Sequence, residues 1–341
     1  MKIGKSSYQF DNVFLEETAV AIGSLEAKGK MVSYADIIYK DPYFEEKSYE
    51  AAERKMQKDT INKLKSKKYL IDSNMDLILG GDLINQEIIS TFVMREYDIP
   101  FIGLYGACST FGLAAIMGAI FIDNNLAKKV ITLASSHTQT AERTFRYPIE
   151  YGGAKEASTT LTVTGCGAML LTNKKSKIKL TKATIGKVYD VYYKNNFDLG
   201  GAMAPSAAET LLAHFADFKS KPSDYDLILT GDLSQIGFSV VNAVLNEKFG
   251  NVNNYDDCGL LVYDYFDQAV FSGGSGCGCS AIVTCGYIKE KLLNGELKKV
   301  LICPTGALMN MTTTLQKESI PAITHAFVLE SVEIWYFYML F

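Results

Sequence analysis

The sequence predicts an α/β protein built from two duplicated βαβαβ-type halves, and three observations lead to that reading. The string Asp76-Leu77-Ile78-Leu79-Gly80-Gly81-Asp82-Leu83 returns as Asp226-Leu227-Ile228-Leu229-Thr230-Gly231-Asp232-Leu233, an offset of 150 residues (76 to 226). Lys128-Lys129-Val130-Ile131 returns as Lys298-Lys299-Val300-Leu301, an offset of 170 (128 to 298). Each half also runs strand, helix, strand, a turn of Gly, Cys and Ser, an apolar helix and a strand. Strands alternating with helices imply predominantly parallel sheets covered by helices on both faces, with the two halves packed as one pseudo-symmetric unit.

Residues 1–30 alternate weakly around Gly4, Gly23 and Gly29 and read as strands and turns, and 48–67 has Glu and Lys at helical spacings of three and four, which reads as a solvated helix face. Residues 76–83 form a short apolar strand closed by glycines, and 100–105 a second strand. The run 113–122 is so apolar that it predicts a buried helix. Strands are expected at 130–134 and 168–172, with a long polar loop over 138–160 between them. A loop of that length inside a compact domain is functional or an interface. The halves divide in the polar turn Asn173-Lys174-Lys175-Ser176-Lys177, giving 1–177 and 178–330. In the second half, helices are expected over 207–218 and 281–293 and a strand over 326–329. The apolar remainder, 331–341, holds the chain's Trp and reads as a final strand, a peripheral membrane contact or no more than the chain's end.

Composition narrows the function. With 34 Lys and Arg against 38 Asp and Glu, the net charge of −4 offers no field for non-specific nucleic-acid binding. No window reaches the ~18–20 apolar residues of a transmembrane helix. Seven cysteines, an odd number, and a start without a secretory pattern point to reduced thiols. Cys277, Cys279 and Cys285 lack the paired spacing of a zinc site and no His lies nearby, so neither metal nor cofactor is expected.

The chemistry concentrates at Tyr105-Gly106-Ala107-Cys108-Ser109-Thr110, between the strand 100–105 and the apolar helix. A cysteine at a helix N-terminus meets the positive end of the dipole and free N–H groups, so Cys108 reads as a thiolate nucleophile or as part of an anion site. The second glycine turn, residues 273–280, offers Gly276 and Gly278, whose backbone admits an anion closely or only lets the halves pack tightly. Ligands in such folds sit at strand carboxyl ends, so both turns are expected to line one pocket. His137 stands at a strand end, where function and a loop hydrogen bond are equal readings, and His325 at the start of the 326–329 strand. His214 reads as a surface or packing residue. In the 138–160 loop, Arg143 and Arg146 are the best cationic pair for a planar carboxylate, with Tyr151 beside Gly152-Gly153, and the alternative is surface or dimer ion pairs.

The strings YGACST (from Tyr105), SSHTQTAERTFRYPIEYGG (from Ser135), TVTGCGA (from Thr162), GGAMAPSAAET (from Gly200), TGDLSQIG (from Thr230), SGGSGCGCSA (from Ser272) and ESIPAITHA (from Glu318) resemble the stage V sporulation protein AD family of spore-forming bacteria. That family sits within the thiolase and ketoacyl synthase superfamily, and the resemblance covers about residues 5–330. It implies a thiolase-like fold in five α-β-α-β-α layers, usually dimeric. It also implies binding of pyridine-2,6-dicarboxylate (dipicolinate) or its calcium chelate in support of uptake into the developing spore, without catalytic turnover. A rigid planar dianion needs cationic or N–H donors and apolar or aromatic walls, and the candidate ligand-binding residues in this sequence are Cys108, as a vestigial nucleophile position, with His137, Arg143, Arg146, Tyr151, Gly276, Gly278 and His325. Membrane-bound sporulation transport partners and a peripheral place on the cytoplasmic side of the spore inner membrane follow from the same resemblance. Synthases of the superfamily carry a His where this chain has Thr230-Gly231-Asp232-Leu233, and an Asn or His at the second glycine turn, where Gly, Ser and Cys stand here. The alternative, an acyltransferase with Cys108 as nucleophile, therefore lacks its usual partners, although His325 is a candidate base. Asp82 and Asp232 are candidate calcium acceptors or turn residues.

Overall fold

The computed structural model describes residues 1–145, 154–265 and 267–333. Among these, the first half contains β1 (Phe14–Ile22), β2 (Leu77–Gly81), β3 (Phe101–Gly103), β4 (Lys129–Ser136) and β5 (Gly165–Thr172), standing side by side in the order β1-β5-β4-β2-β3. The second half repeats that order as β6-β10-β9-β7-β8, with β6 (Ile178–Ile185), β7 (Leu227–Thr230), β8 (Tyr255–Asp257), β9 (Lys299–Cys303) and β10 (Ala322–Ser331). β1 meets β6 at the pairs Leu15↔Ile178 and Phe14↔Lys179.

The repeated strings are in contact within each half. The Asp76 carboxylate accepts the N–H groups of Lys128 and Lys129 at 2.7 and 2.9 Å, and Asp226 accepts those of Lys298 and Lys299 at 2.6 and 2.8 Å. One exposed acid just before the strand thus ties β2 to β4, and its copy ties β7 to β9. The sheets are mixed rather than predominantly parallel. β2 runs parallel to β3 and β4, whereas β5 is antiparallel to both of its neighbours, and β10 behaves likewise in the second half.

Helix α1 (Tyr49–Lys67) packs on β1 and β5 and carries α2 (Ile88–Met94), while α5 (Leu199–Phe218) covers β10 and carries α6 (Ser234–Phe249). Between the sheets lies α3 (Thr110–Asp123), against β4 and β2 of its own half and β10 and β6 of the other. Beside it runs a second central helix, α7 (Cys277–Ile282), a π turn (Val283–Ile288) and α8 (Lys289–Leu293). These are the five layers expected. A helix held between two sheets must be apolar almost all round: α3 buries Phe111, Ala114, Ile116, Ala119 and Ile122, and its remaining stripe, Leu113, Met117, Ile120 and Phe121, is apolar and partly buried.

Three expectations need correction. The run 138–160 is not one loop: it opens with α4 (Thr138–Phe145) and ends in the strand Thr160–Thr162, paired with Gly273–Ser275. Its polar composition hid an amphipathic helix whose inner face is Thr140, Ala141 and Glu142. The α1 face is not merely solvated, because Glu53 and Gln57 are fully buried and Glu53 accepts from Ser135 at 2.8 Å and Thr140 at 2.6 Å. His325 lies inside a strand that begins at Ala322 rather than at its start.

Candidate functional site

The turn that presents Cys108 is held by its own side chains. Ala107 adopts φ +50°, a left-handed conformation costly for a residue with a Cβ. Thr110 Oγ1 accepts from Gly106 N–H at 3.0 Å and donates to Ala107 C=O at 2.7 Å, and Ser109 Oγ donates to Gly106 C=O at 2.7 Å. These bonds hold the bend in place and set Cys108 just before the first turn of α3.

The second glycine turn meets it from the other half. Gly276 sits at φ +100°, and a Cβ there would stand 2.7 Å from Ser136 Oγ, so only glycine fits. This brings Ser275 Oγ to 3.8 Å from Cys108 Sγ, and Ser275 Oγ donates in turn to Asp232 Oδ2 at 3.1 Å. The single hydroxyl proton of Ser275 is thereby committed, so toward Cys108 its oxygen acts as an acceptor of the S–H.

The electrostatics oppose a thiolate. Burial, then the Asp232 carboxylate, raise the Cys108 thiol well above its ordinary range, and the opposing help of Ser275 and Gly276 N–H is smaller. The expected dipole-stabilised thiolate is therefore corrected to a protonated thiol at neutral pH: desolvation outweighs the helix terminus. Asp232 is itself pushed up to about 7, by burial and by the nearby Asp257 carboxyl, and its Oδ1 has no hydrogen-bond partner among the described residues.

Above Cys108 opens a cavity of about 350 Å³. Its floor is Ala107, Cys108, Ser275 and Gly276, and its walls are Leu83, Tyr105, Phe145, Leu199, Leu308 and Met309. Asn85, Gln86, Thr162, Asn310 and Thr313 add amide and hydroxyl groups, and no charged side chain stands among the described lining residues.

Of the ligand residues expected from the sequence, the cavity brings together Cys108 and Gly276. His137 is buried elsewhere. Its Nε2–H donates to Pro42 C=O at 2.9 Å and its Nδ1 accepts from Gln139 N–H, which fixes the neutral tautomer, and burial lowers its pKa to about 4. Arg143 turns away from the cavity to an ion pair with Glu50 of α1, although the next two residues, Thr144 and Phe145, line the wall. Gly278 gives its N–H to Ser136 Oγ at 3.1 Å, and a Cβ there would lie 2.3 Å from Gly165 C=O, so it serves packing between the halves. His325 is buried in β10, its Nδ1 without a partner among the described residues and its pKa lowered to about 4, and it is not a lining residue. Arg146 and Tyr151 lie outside the described residues, as does the tail from 334 on.

The duplicated acids diverge. Asp82 is a turn residue, accepting from Ile84 N–H at 2.8 Å and from Ser90 N–H and Oγ at 2.8 and 2.7 Å, whereas Asp232 backs the Cys108 floor. His214 is a packing residue between Thr184 Oγ1 and Tyr225 OH. Asn85, Thr162, Ser275 and Asn310 were not singled out from sequence. Ser275 had a signal, as the polar side chain in the turn expected to face Cys108.

Comparison with known proteins places this geometry. The profile of the stage V sporulation protein AD (SpoVAD) family matches residues 4–330. Stage V sporulation protein AD of Bacillus subtilis is 43% identical over 329 residues, covering 96% of this chain and 97% of that protein. Among solved structures, 3-oxoacyl-[acyl-carrier-protein] synthase III of Aquifex aeolicus superposes with a TM-score of 0.58 at 13% identity, over 93% of this chain and 99% of that one. OleA of Xanthomonas campestris gives a TM-score of 0.57 at 10% identity, over 94% and 98%. At such identities these two establish the thiolase-like fold alone. No helix among the described residues is long and apolar enough to cross a membrane.

Proposed function

This chain belongs to the stage V sporulation protein AD family, and on that premise we propose that it binds dipicolinate, free or as the calcium chelate, and supports its uptake into the developing spore without turning it over. The observation that carries this reading is the cavity over Cys108. Its volume of about 350 Å³ falls in the range of ~300–1,000 Å³ common for small-molecule sites. Leu83, Phe145 and Met309 suit the faces of a planar ring, and Asn85, Thr162 and Asn310 supply donors for carboxylate oxygens. Arg146, which follows the wall residue Phe145 in the chain, is the cation we assign to a ligand carboxylate, since Arg143 is engaged by Glu50.

A protonated, buried thiol is a poor nucleophile, which favours a lining role for Cys108 over turnover. In this reading the protein is a homodimer on the cytoplasmic side of the spore inner membrane, working with membrane-bound transport partners. Calorimetric titration with dipicolinate tests it. Wild type binds saturably, Arg146→Ala weakens binding about tenfold or more, and Arg143→Ala leaves it nearly unchanged. Absence of binding at millimolar ligand would sink the proposal.

The position of Cys108 at the floor of a cavity, on a fold shared with a synthase, favours one second reading, acyl transfer through its sulfur. Incubation with acetyl-CoA followed by intact-mass measurement decides it: an acyl adduct absent in Cys108→Ala supports transfer, and an unmodified chain removes it.

A further inference from the structure

We propose that the groove between α1 and α2 is a second binding site, which takes carboxylate side chains from an acidic segment of a partner protein. The groove has a volume of about 300 Å³ and is lined by Arg54, Lys55 and Lys58 of α1 and by Phe92, Arg95 and Glu96 at the end of α2. It shares no lining residue with the cavity over Cys108.

Its charges divide into committed and uncommitted groups. Lys55 Nζ pairs with Asp59 Oδ2 at 2.6 Å, the same oxygen accepts from Tyr39 OH at 2.8 Å, and Lys58 Nζ pairs with Glu96 Oε2 at 2.5 Å. Arg54 and Arg95 have no carboxylate at ion-pair distance among the described residues. Both instead lie over the half-buried Phe92 ring, their Cζ atoms 5.4 and 4.5 Å from its centroid.

Stacking on an aromatic ring orients a guanidinium without consuming its N–H donors. Two such forks converging on one ring form a receptor for carboxylate oxygens whose ordering cost is already met in the free protein. Arginine beside a half-buried aromatic in a notch is also the composition of interface anchors. The acids in the groove choose the source of the carboxylate. Glu46, Asp59 and Glu96 stand among Arg54, Lys55, Lys58 and Arg95, leaving the groove one charge positive. A broad anionic surface such as a membrane would meet those acids, whereas one or two inserted Glu or Asp side chains reach the arginines between them.

The test is fluorescence anisotropy of a fluorescein-labelled hexaglutamate peptide with the full chain at low ionic strength. We expect saturable binding that weakens as salt is added and that falls about tenfold or more in Arg54→Gln/Arg95→Gln. The charge-preserving pair Arg54→Lys/Arg95→Lys should fall nearly as far, because it loses the forks and the stacking while keeping the field. Unchanged thermal melting and dipicolinate titration would show that the variants are folded. Equal binding by the Gln pair, no peptide binding at millimolar concentration, displacement by equimolar inorganic phosphate, or preference for phosphatidylglycerol vesicles over the peptide would each overturn the proposal.

Discussion

Replacing Asp232 by Asn probes the site from beneath. The carboxyl is completely buried, accepts a bond from Ser275 and has an Oδ1 without a partner among the described residues, and burial together with Asp257 raises its pKa from 3.8 to about 7. The unfolded chain ionises this group near 3.8 and the folded chain only near 7, so between those values the folded state holds more protons. Stability therefore falls as pH rises through that window and stays lower above it. At ~1.4 kcal/mol per pH unit the gap is worth roughly 4 kcal/mol at most. Asn removes the buried charge together with its repulsion toward Asp257, so the gain is on the order of that gap, roughly 2–4 kcal/mol. Asn keeps an acceptor for Ser275 and carries no charge. Urea unfolding of Asp232→Asn should thus show a gain of that size at pH 8 and almost none at pH 4. Loss of the carboxylate should also ease ionisation of Cys108 and speed its alkylation at pH 8. An equal gain at both pH values, or a loss at pH 8, would mean that the Asp232 charge does not destabilise the fold.

Further outcomes follow from the same geometry. Gly276→Ala forces a Cβ to 2.7 Å from Ser136 Oγ at φ +100° and should lose roughly 2 kcal/mol or more in urea unfolding. Ser48→Ala removes the oxygen that accepts from Ala51 N–H at the start of α1, and about 1 kcal/mol of stability should go with it. In the native wild type at pH 8, peptide mass mapping should find Cys108 alkylated by iodoacetamide far more slowly than in the urea-unfolded chain, and equal rates would contradict the protonated, buried thiol.

The duplication was legible because it is written in residues: the two Asp-Leu-Ile-Leu strings and the two Lys-Lys pairs proved to be bonded to each other through Asp76 and Asp226. The position of Cys108 before α3 was legible from the abrupt change to an apolar run. The protonation state of Cys108 was not, since it depends first on burial and then on Asp232, brought in from far along the chain, and both are set only by the fold. The same holds for His137 and Arg143. Residue type suggested ligands, but a carbonyl at Pro42 and a carboxylate on α1 claim them first. Glu53 shows the converse limit, because in a run of Glu and Lys nothing local marks the one acid that turns inward to Ser135 and Thr140.

Occupancy of the cavity over Cys108 by dipicolinate can be measured directly. Titrating the full-length chain with dipicolinate in the calorimeter, with and without calcium, should give one saturable event per chain that Cys108→Ala alters in strength but does not abolish. A folded wild-type chain that produces no binding heat at millimolar dipicolinate under either condition would contradict it.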